Sequence, residues 1–337
     1  MDSSLYSLNR RRALWLLGGM VGGLTLHGCT QSAPVSGGSS TAPLISGVNP
    51  WPGYSGHYVA LSKGLFKAQG VPVQEVFFQS ASESITGFLA GKIDVAWLTS
   101  GDAIQTIEKD PTIRIIYVVD YSNGSDGIIG RGIKSPADLK GKTIARENIL
   151  FENVLLQAYL AKGGLTEKDV VIKDMTAGDA AAAFAAKRVD AAVSYEPWLT
   201  KAAKDGGGEL IFSTKDTNLI SDVIATRQKV IETRQTDLKA YLKAIDQGVK
   251  LVNAGDAEAI KITAQKMGIS EAEAKEQIAG VKIFDIDMNK KIGLNLNDSN
   301  NVLKNFDLTL KTGADMKVIS SSLKSSALYD DSIVKSL

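Results

Sequence analysis

Short apolar segments alternate with segments of helical periodicity along the chain from residue 44 onward. The apolar segments are bounded by Gly, Pro or Asp, a pattern typical of buried strands. The predicted strands of the first round are Leu44–Val48, Val71–Phe78, Ile93–Leu98 and Ile113–Asp120, and the helices between them are Gly56–Gln69, Ser82–Ala90 and Asp102–Lys109. This alternation predicts an α/β fold, with parallel-rich sheets and helices on both faces.

A second round of the same alternation follows. Its predicted strands are Lys142–Ala145, Val170–Lys173 and Ala191–Tyr195, and its helices are Asn148–Lys162 and Asp179–Lys187. The segment Gly87–Ala96 resembles Ala183–Ala192, because each combines a helix end, a tight turn and a buried strand that begins near an Asp. We therefore expect two similar lobes.

Helical periodicity dominates the rest of the chain. The predicted helices are Asp237–Asn253, Ala257–Met267, Ser270–Ala279, Asp298–Thr312 and Ser320–Leu323. Two-lobed receptors of this shape usually send the chain back to the first lobe. We therefore place residues 44–120 and 226–337 in lobe 1 and residues 121–225 in lobe 2.

The N-terminal segment has the three parts of an export signal. A basic start, Arg10–Arg12, precedes the apolar run Ala13–Leu26 and the small residue Gly28. The segment Leu26–Cys29 resembles the bacterial lipobox, in which the cysteine becomes the lipidated first residue of the mature chain. We expect residues 1–28 to be a lipoprotein signal peptide and residues 29–43, rich in Ser, Gly and Pro, to be a flexible tether. An uncleaved signal anchor is the alternative, and the arginines leave both the Sec and the twin-arginine export routes open.

Composition narrows the class of protein. The 337 residues carry a net charge of +1, so no strongly basic surface points to a nucleic-acid partner. The only histidines, His27 and His57, and the single cysteine, Cys29, offer the mature chain no histidine pair, metal cluster or cysteine nucleophile. We therefore expect no enzyme, cofactor or metal site, and the resemblance described next implies a monomeric binding protein.

An ordered set of segments resembles the solute-binding proteins of taurine, nitrate, aliphatic sulfonate and thiamine-pyrimidine importers. The segments are Asn49–Tyr54, Ala60–Phe66, Ala90–Ala96, Ser135–Lys142, Val189–Val193 and Glu196–Trp198. The resemblance implies the two-lobed periplasmic-binding-protein fold of type II and a small polar solute bound between the lobes. It also implies ABC importer permease subunits as partners, with the chain anchored by lipid to the cell membrane and facing the periplasm or the outside. One further stretch, Val118–Asp126, resembles the branch linked to urea and guanidine breakdown.

The candidate ligand residues follow the ends of the predicted strands, where open parallel sheets bind their ligands. Trp51 and Tyr54 follow the first strand, Trp97 lies in the third, and Ser100 lies just beyond it. A planar ligand could stack on these rings, and a cation could lie over a ring face. The alternative is that these aromatic residues belong to the core.

Acidic residues mark the corresponding loops of the second lobe and the return strand. Glu147 and Glu152 flank a helix start, where they could instead stabilise the helix. Glu196 lies between aromatic residues, with Trp198 in the same loop, and Asp222 begins a strand. Arg146 is the only nearby basic residue. This acidic balance favours a cation with several N–H donors, such as guanidinium, over an anion such as taurine, a sulfonate or nitrate. These anions and the thiamine pyrimidine precursor are the alternative solutes.

The lipobox-like segment generates the first testable prediction. Replacing Cys29 with Ala should remove the lipid and release soluble protein, because no other residue of that segment can carry the acyl chains. Membrane fractionation of the wild type and Cys29→Ala measures this. A variant that stays in the membrane fraction would favour the retained signal anchor instead.

Overall fold

The computed structural model describes residues 42–215, 220–295, 297, 298, 301–315, 317, 319, 320 and 323–337. The expected signal peptide, Cys29 and nearly all of the expected tether lie outside these residues. Within the described part, no helix is both long enough and apolar enough to cross a membrane.

The strands form two sheets. Their bounds are β1 Leu44–Val48, β2 Val73–Phe77, β3 Val95–Thr99, β4 Ile113–Ser122, β5 Asp126–Gly130, β6 Thr143–Arg146, β7 Val171–Asp174, β8 Ala191–Tyr195, β9 Glu209–Ser213, β10 Ser221–Arg227 and β11 Val281–Ile283. The first sheet has the order β11-β4-β10-β3-β1-β2, and the second has the order β7-β6-β8-β5-β9.

The α-helices connect and cover these strands. Their bounds are α1 Ser55–Ser62, α2 Leu65–Ala68, α3 Ala81–Leu89, α4 Ser100–Lys109, α5 Leu150–Lys162, α6 Ala177–Ala185, α7 Trp198–Gly206, α8 Gln228–Thr233, α9 Gln235–Asn253, α10 Ala257–Met267, α11 Glu271–Ala279, α12 Ile286–Met288, α13 Val302–Asp315 and α14 Ser332–Lys335. Single 3₁₀ turns lie at Pro52–Tyr54, Pro136–Leu139, Glu167–Asp169 and Ser325–Ala327, and a π-helical turn lies at Asn289–Gly293.

Both sheets share one pairing scheme. In the first, β1 pairs in parallel with β2 and β3, and β10 runs antiparallel between β3 and β4. In the second, β6 pairs in parallel with β7 and β8, and β5 runs antiparallel between β8 and β9. This repetition confirms the expected α/β class, and each sheet combines parallel with antiparallel pairings.

Neighbouring residues of the second sheet enter different cores, as side-chain alternation along a strand requires. Ile128 and Ile144 pack with α5 residues such as Leu156. Ile129 and Ala145 pack on the other side, with the alanine-rich helix α6. Both faces of the sheet are therefore covered by helices, as the apolar strand pattern indicates.

The chain passes between the sheets twice. It leaves the first sheet after β4 and returns to it with β10. The return point expected at residue 225 falls inside β10, which lies wholly in the first sheet. The lobe boundaries themselves stay a prediction.

Two local expectations from the sequence differ from the structure. The expected single helix Gly56–Gln69 is divided into α1 and α2 at Gly64, whose φ of 68° lies in the left-handed region that ends a helix. Strands β5 and β9 were not expected, because glycines at both ends of β5 weaken its strand pattern. The expected helix Ser320–Leu323 lies partly outside the described residues.

A close contact between α1 and α9 generates the second prediction. A Cβ atom at Gly248 would lie 2.1 Å from the backbone oxygen of Gly56, which cannot move without shifting the helix. We expect Gly248→Ala to lower the free energy of unfolding by about 1–3 kcal/mol, since overpacking outweighs the better helix propensity of Ala. Urea unfolding measures the change.

Gly178→Ala is the matched control, because the nearest atom to its added Cβ would be 3.6 Å away. It should be neutral or slightly stabilising. Equal effects of the two substitutions would contradict the importance of the α1–α9 contact.

Candidate functional site

A small cavity lies where the two sheets face each other. Its lining comes from both: residues after β1 and within or after β3 in the first sheet, and residues at the start of β5 and the end of β8 in the second. The cavity has a volume of about 20 Å³, and its lining residues are Asn49, Trp51, Tyr54, Ala81, Trp97, Leu98, Thr99, Asp102, Asp126, Phe151, Tyr195 and Asp222. The antiparallel strands β5 and β10 begin where their parallel neighbours end, so both contribute their first residues here.

Aromatic rings form much of the wall. Tyr54 and Trp97 meet edge to face, with ring centroids 5.0 Å apart. Trp51 meets Tyr195 in the same way at 6.3 Å, and Phe151 lies 5.9 Å from Tyr195. These contacts fix the rings around the cavity, so a planar solute would meet a rigid apolar surface.

The polar atoms of two rings are hydrogen-bonded to buried carboxylates. Trp51 Nε1 donates to Asp120 Oδ2 at 2.9 Å, and Tyr54 Oη donates to Asp222 Oδ1 at 2.7 Å. The loop leaves room for the first contact because Gly53 has no side chain; a Cβ there would lie 1.7 Å from Asp120 Oδ2. The aromatic loop and the carboxylates thus position one another.

Three aspartates line the cavity, and each has a raised pKa. Burial raises the pKa of Asp102 to about 6, although its carboxylate accepts from Thr99 Oγ1 at 2.7 Å and from Leu150 N at 3.0 Å. Burial raises the pKa of Asp126 to about 8, and its Oδ2 atom has no hydrogen-bond partner. Burial is also the main reason that the pKa of Asp222 lies well above its usual value, followed by the charge of Asp120.

Asp120 and Asp222 form a pair. They lie directly opposite each other on β4 and β10, and both side chains are buried. Each ionised carboxylate would raise the pKa of the other. Burial raises the pKa of Asp120 to about 7, in accord with a pair that retains a proton near neutral pH.

Among the described residues, no basic side chain lines the cavity. Arg146, the one basic residue expected nearby, instead lies 2.6 Å from Glu167 Oε1 and 3.2 Å from Asp174 Oδ1. The cavity wall therefore carries acidic groups that no protein cation neutralises.

The structure brings four of the expected ligand residues to this wall. These are Trp51, Tyr54, Trp97 and Asp222. Glu147 and Glu152 are buried behind it: Glu147 Oε2 accepts from Tyr195 Oη at 3.4 Å, and Glu152 Oε2 accepts from Glu147 N at 2.7 Å. Burial, followed by the charge of Glu147, raises the pKa of Glu152 well above its usual range.

Besides Glu147 and Glu152, three further expected ligand residues do not line the cavity. Ser100 donates to Asn305 at 2.7 Å, because the first turn of α4 faces α13. The Glu196 carboxylate turns back to its own helix, where it accepts from Thr200 N and from Thr200 Oγ1 at 2.7 Å. Trp198 packs against the core beside α6.

Five lining residues with side chains suited to a ligand were not selected from the sequence. They are Asn49, Asp102, Asp126, Phe151 and Tyr195. Asp102 and Asn49 lie in the loops that sequence analysis singled out. Asp126 ends the stretch Val118–Asp126 whose resemblance is noted above, but the strand that it opens was not predicted, so it was not selected.

The chain was compared with known families and structures. The family model described as "NMT1/THI5 like" matches residues 51–259, which is more than half of the chain. No curated protein sequence matches this chain. The fold matches the alkanesulfonate-binding protein SsuA from Xanthomonas axonopodis pv. citri bound to MOPS, with a TM-score of 0.73 and 18% identity over 87% of this chain and 100% of that one.

Two further structures share the fold. The periplasmic nitrate-binding protein NrtA from Synechocystis PCC 6803 has a TM-score of 0.66 and 15% identity, covering 88% of this chain and 85% of that one. A cysteine-to-serine mutant of DszB in complex with biphenyl-2-sulfinic acid has a TM-score of 0.62 and 13% identity, covering 87% of this chain and 97% of that one. At these identities the matches establish the type II binding-protein fold.

The raised pKa values generate the third prediction. In the unfolded chain an Asp titrates near ~4, whereas in the folded protein Asp102, Asp120 and Asp126 have pKa values of about 6, 7 and 8. Between these limits the folded state binds more protons, so the free energy of unfolding falls as pH rises. The melting temperature of the ligand-free protein should therefore fall between about pH 5 and pH 8.

Asp126→Asn should make this fall shallower, since it removes the group with the highest of the three pKa values. Asp205→Asn, at an exposed position of α7, should leave the slope unchanged. A melting temperature that rises over the same pH range would contradict the buried, protonated aspartates.

Proposed function

The chain belongs to the NMT1/THI5-like family, and from this premise we propose that it is the solute-binding protein of an ABC importer. Its ligand is guanidinium or a close, planar, nitrogen-rich relative. The observation that carries this proposal is the cavity wall, in which three aspartates lie among five aromatic side chains. The aspartates are Asp102, Asp126 and Asp222, and the aromatic residues are Trp51, Tyr54, Trp97, Phe151 and Tyr195.

Charge favours a cation. Burying several carboxylates without a cation is costly, which is why their pKa values are raised. A bound cation would allow them to ionise and would offset that cost. An anion would be buried beside like charges, so the cavity wall offers nothing that favours taurine, a sulfonate or nitrate.

Shape and hydrogen-bonding capacity favour guanidinium among cations. Its planar N–H groups match carboxylate oxygens in pairs, and its face stacks on aromatic rings. The unpartnered Oδ2 of Asp126 provides an acceptor that the protein itself leaves unused. Among the described residues, no group of three or more His, Cys, Asp or Glu side chains is arranged to hold a metal ion, so a polyatomic cation fits better.

Size supports the same choice. The cavity volume is about 20 Å³, whereas an engineered protein cavity that admits benzene measures about 150 Å³. A volume of this size holds about one water molecule, so any solute requires the two sheets to separate, and one of few heavy atoms requires the smallest separation. Taurine, MOPS or a thiamine pyrimidine would require the two sheets to separate further.

An enzyme of the same fold is the second candidate, since DszB shares this architecture. His57, the histidine of the expected mature chain, is fully buried in α1, with Nε2 3.2 Å from Glu75 Oε2, and it is not among the residues that line the cavity. Its burial lowers its pKa. We therefore propose binding without turnover, and recovery of unchanged solute after incubation tests that choice.

We further propose that lipid on Cys29 holds the protein at the cell membrane, facing the periplasm or the outside. The tether 29–43 would let a monomer carry solute to the permease subunits of its importer.

Calorimetric titration supplies the fourth prediction. Guanidinium chloride at millimolar concentration should bind more tightly than urea, taurine, nitrate or the thiamine pyrimidine. Affinity should rise between about pH 5 and pH 8, because the cation requires ionised aspartates whose pKa values are about 6 for Asp102 and about 8 for Asp126. Asp126→Asn should weaken binding by about 10–100-fold, the usual cost of losing a charged hydrogen bond.

Glu196→Gln is the matched control, since that carboxylate already bonds to Thr200 outside the cavity lining. Its affinity for guanidinium should stay within a few-fold of wild type. Tight binding of taurine or nitrate with no guanidinium signal would reject the cation proposal. Chemical turnover of any solute would reject the binding-protein proposal.

A further inference from the structure

The side chain of Glu147 is hydrogen-bonded to two helix N-termini at once. It lies between β6 and α5 and is almost completely buried. Its Oε1 accepts from Ser82 N, in the first turn of α3, at 2.8 Å. Its Oε2 accepts from Ala177 N, the first residue of α6, at 3.3 Å.

These amides belong to different parts of the fold. Helix α3 follows β2 of the first sheet, and α6 follows β7 of the second. Amides at the start of a helix have no partner within it and lie at the positive end of the helix dipole. Two such ends and the Tyr195 hydroxyl, which donates to Glu147 Oε2 at 3.4 Å, would form an anion-binding position if the carboxylate were absent.

This position adjoins the cavity. Tyr195 and Ala81 line the cavity, and Ala81 N donates to Tyr195 Oη at 3.3 Å. A carboxylate also accepts from the N-terminus of α5, where Leu150 N donates to Asp102 Oδ1. The protein thus fills the helix ends around the cavity with its own carboxylates.

A second buried carboxyl group, that of Glu152, lies directly beside Glu147. The fully buried Glu152 has an Oε1 atom without a hydrogen-bond partner, while its Oε2 accepts from Glu147 N. After burial, the charge of Glu147 is the main cause of the raised pKa of Glu152. The carboxylate at the converging helix ends is that of Glu147, whose two oxygens accept from Ser82 N, Ala177 N and the Tyr195 hydroxyl.

We propose that Glu147 determines the charge of the solute that this site accepts. Its carboxylate permanently occupies the position where a solute anion would otherwise bind to α3, α6 and Tyr195, and so leaves the adjoining cavity to a cation. This inference deepens the proposed function, but its test does not require guanidinium to bind.

The fifth prediction tests whether an external carboxylate can replace the side chain. Glu147→Ala should open a position for acetate, so sodium acetate at about 100 mM should raise the melting temperature of this variant by about 2–4 °C in a saturable manner. Sodium gluconate at the same ionic strength should not, because gluconate is too large. Acetate should not stabilise the wild type, in which the position is filled.

Glu147→Gln is the matched control. Its amide fills the space but carries no charge and presents an NH₂ group to one of the donors. It should melt below the wild type and should show no acetate response. A purely structural role for Glu147 would lower the melting temperature of both variants without an acetate response in Glu147→Ala, and that result would overturn the proposal.

If Glu147→Ala is unfolded in ordinary buffer, its refolding in acetate but not in gluconate gives the same support. Failure to refold in either salt, together with an unchanged melting temperature for Glu147→Gln, would also overturn it. If the wild type does not bind guanidinium but acetate raises the melting temperature of Glu147→Ala, the result would count only against guanidinium as the solute.

Discussion

The burial of carboxylates without basic partners is the constraint on which the rest of the site depends. Asp102, Asp126 and Asp222 face one small cavity, and Asp120 lies behind Trp51 and against Asp222. Such groups remain in a folded protein only if they stay protonated, accept hydrogen bonds or meet a cation. The protein uses the first two, through raised pKa values and donors such as Tyr54. The third is the role that we propose for the solute.

The sheet topology brings these acids together. In each sheet one antiparallel strand, β10 or β5, is inserted among parallel neighbours. Its first residues therefore lie beside the last residues of the adjacent parallel strands. Asp222 and Asp126 lie at the start of these inserted strands. They therefore meet the residues of the loops that follow the parallel strands.

The electrostatic arrangement extends beyond the cavity wall. Glu147 bonds to the N-termini of α3 and α6, and Asp102 bonds to the N-terminus of α5. Helix ends of this kind usually attract anionic ligands. Here side chains satisfy them, while Arg146 is bound to Glu167 and Asp174. The fold shared with sulfonate- and nitrate-binding proteins thus carries, in this chain, carboxylates at the helix ends around the cavity.

The sequence by itself determined the α/β class, the repeated strand–helix units and the aromatic loop after β1, because these follow from apolar periodicity and from Gly and Pro at turns. It also indicated an acidic ligand region and the candidates Trp51, Tyr54 and Asp222. Only the tertiary structure decided which acids share the cavity. Asp126 enters through a strand with a weak local pattern, whereas Glu196 turns back to Thr200. Sequence position fixes the loop in which a carboxylate lies, but the pairing of distant strands and the competition of nearby hydrogen-bond donors decide where its oxygens point.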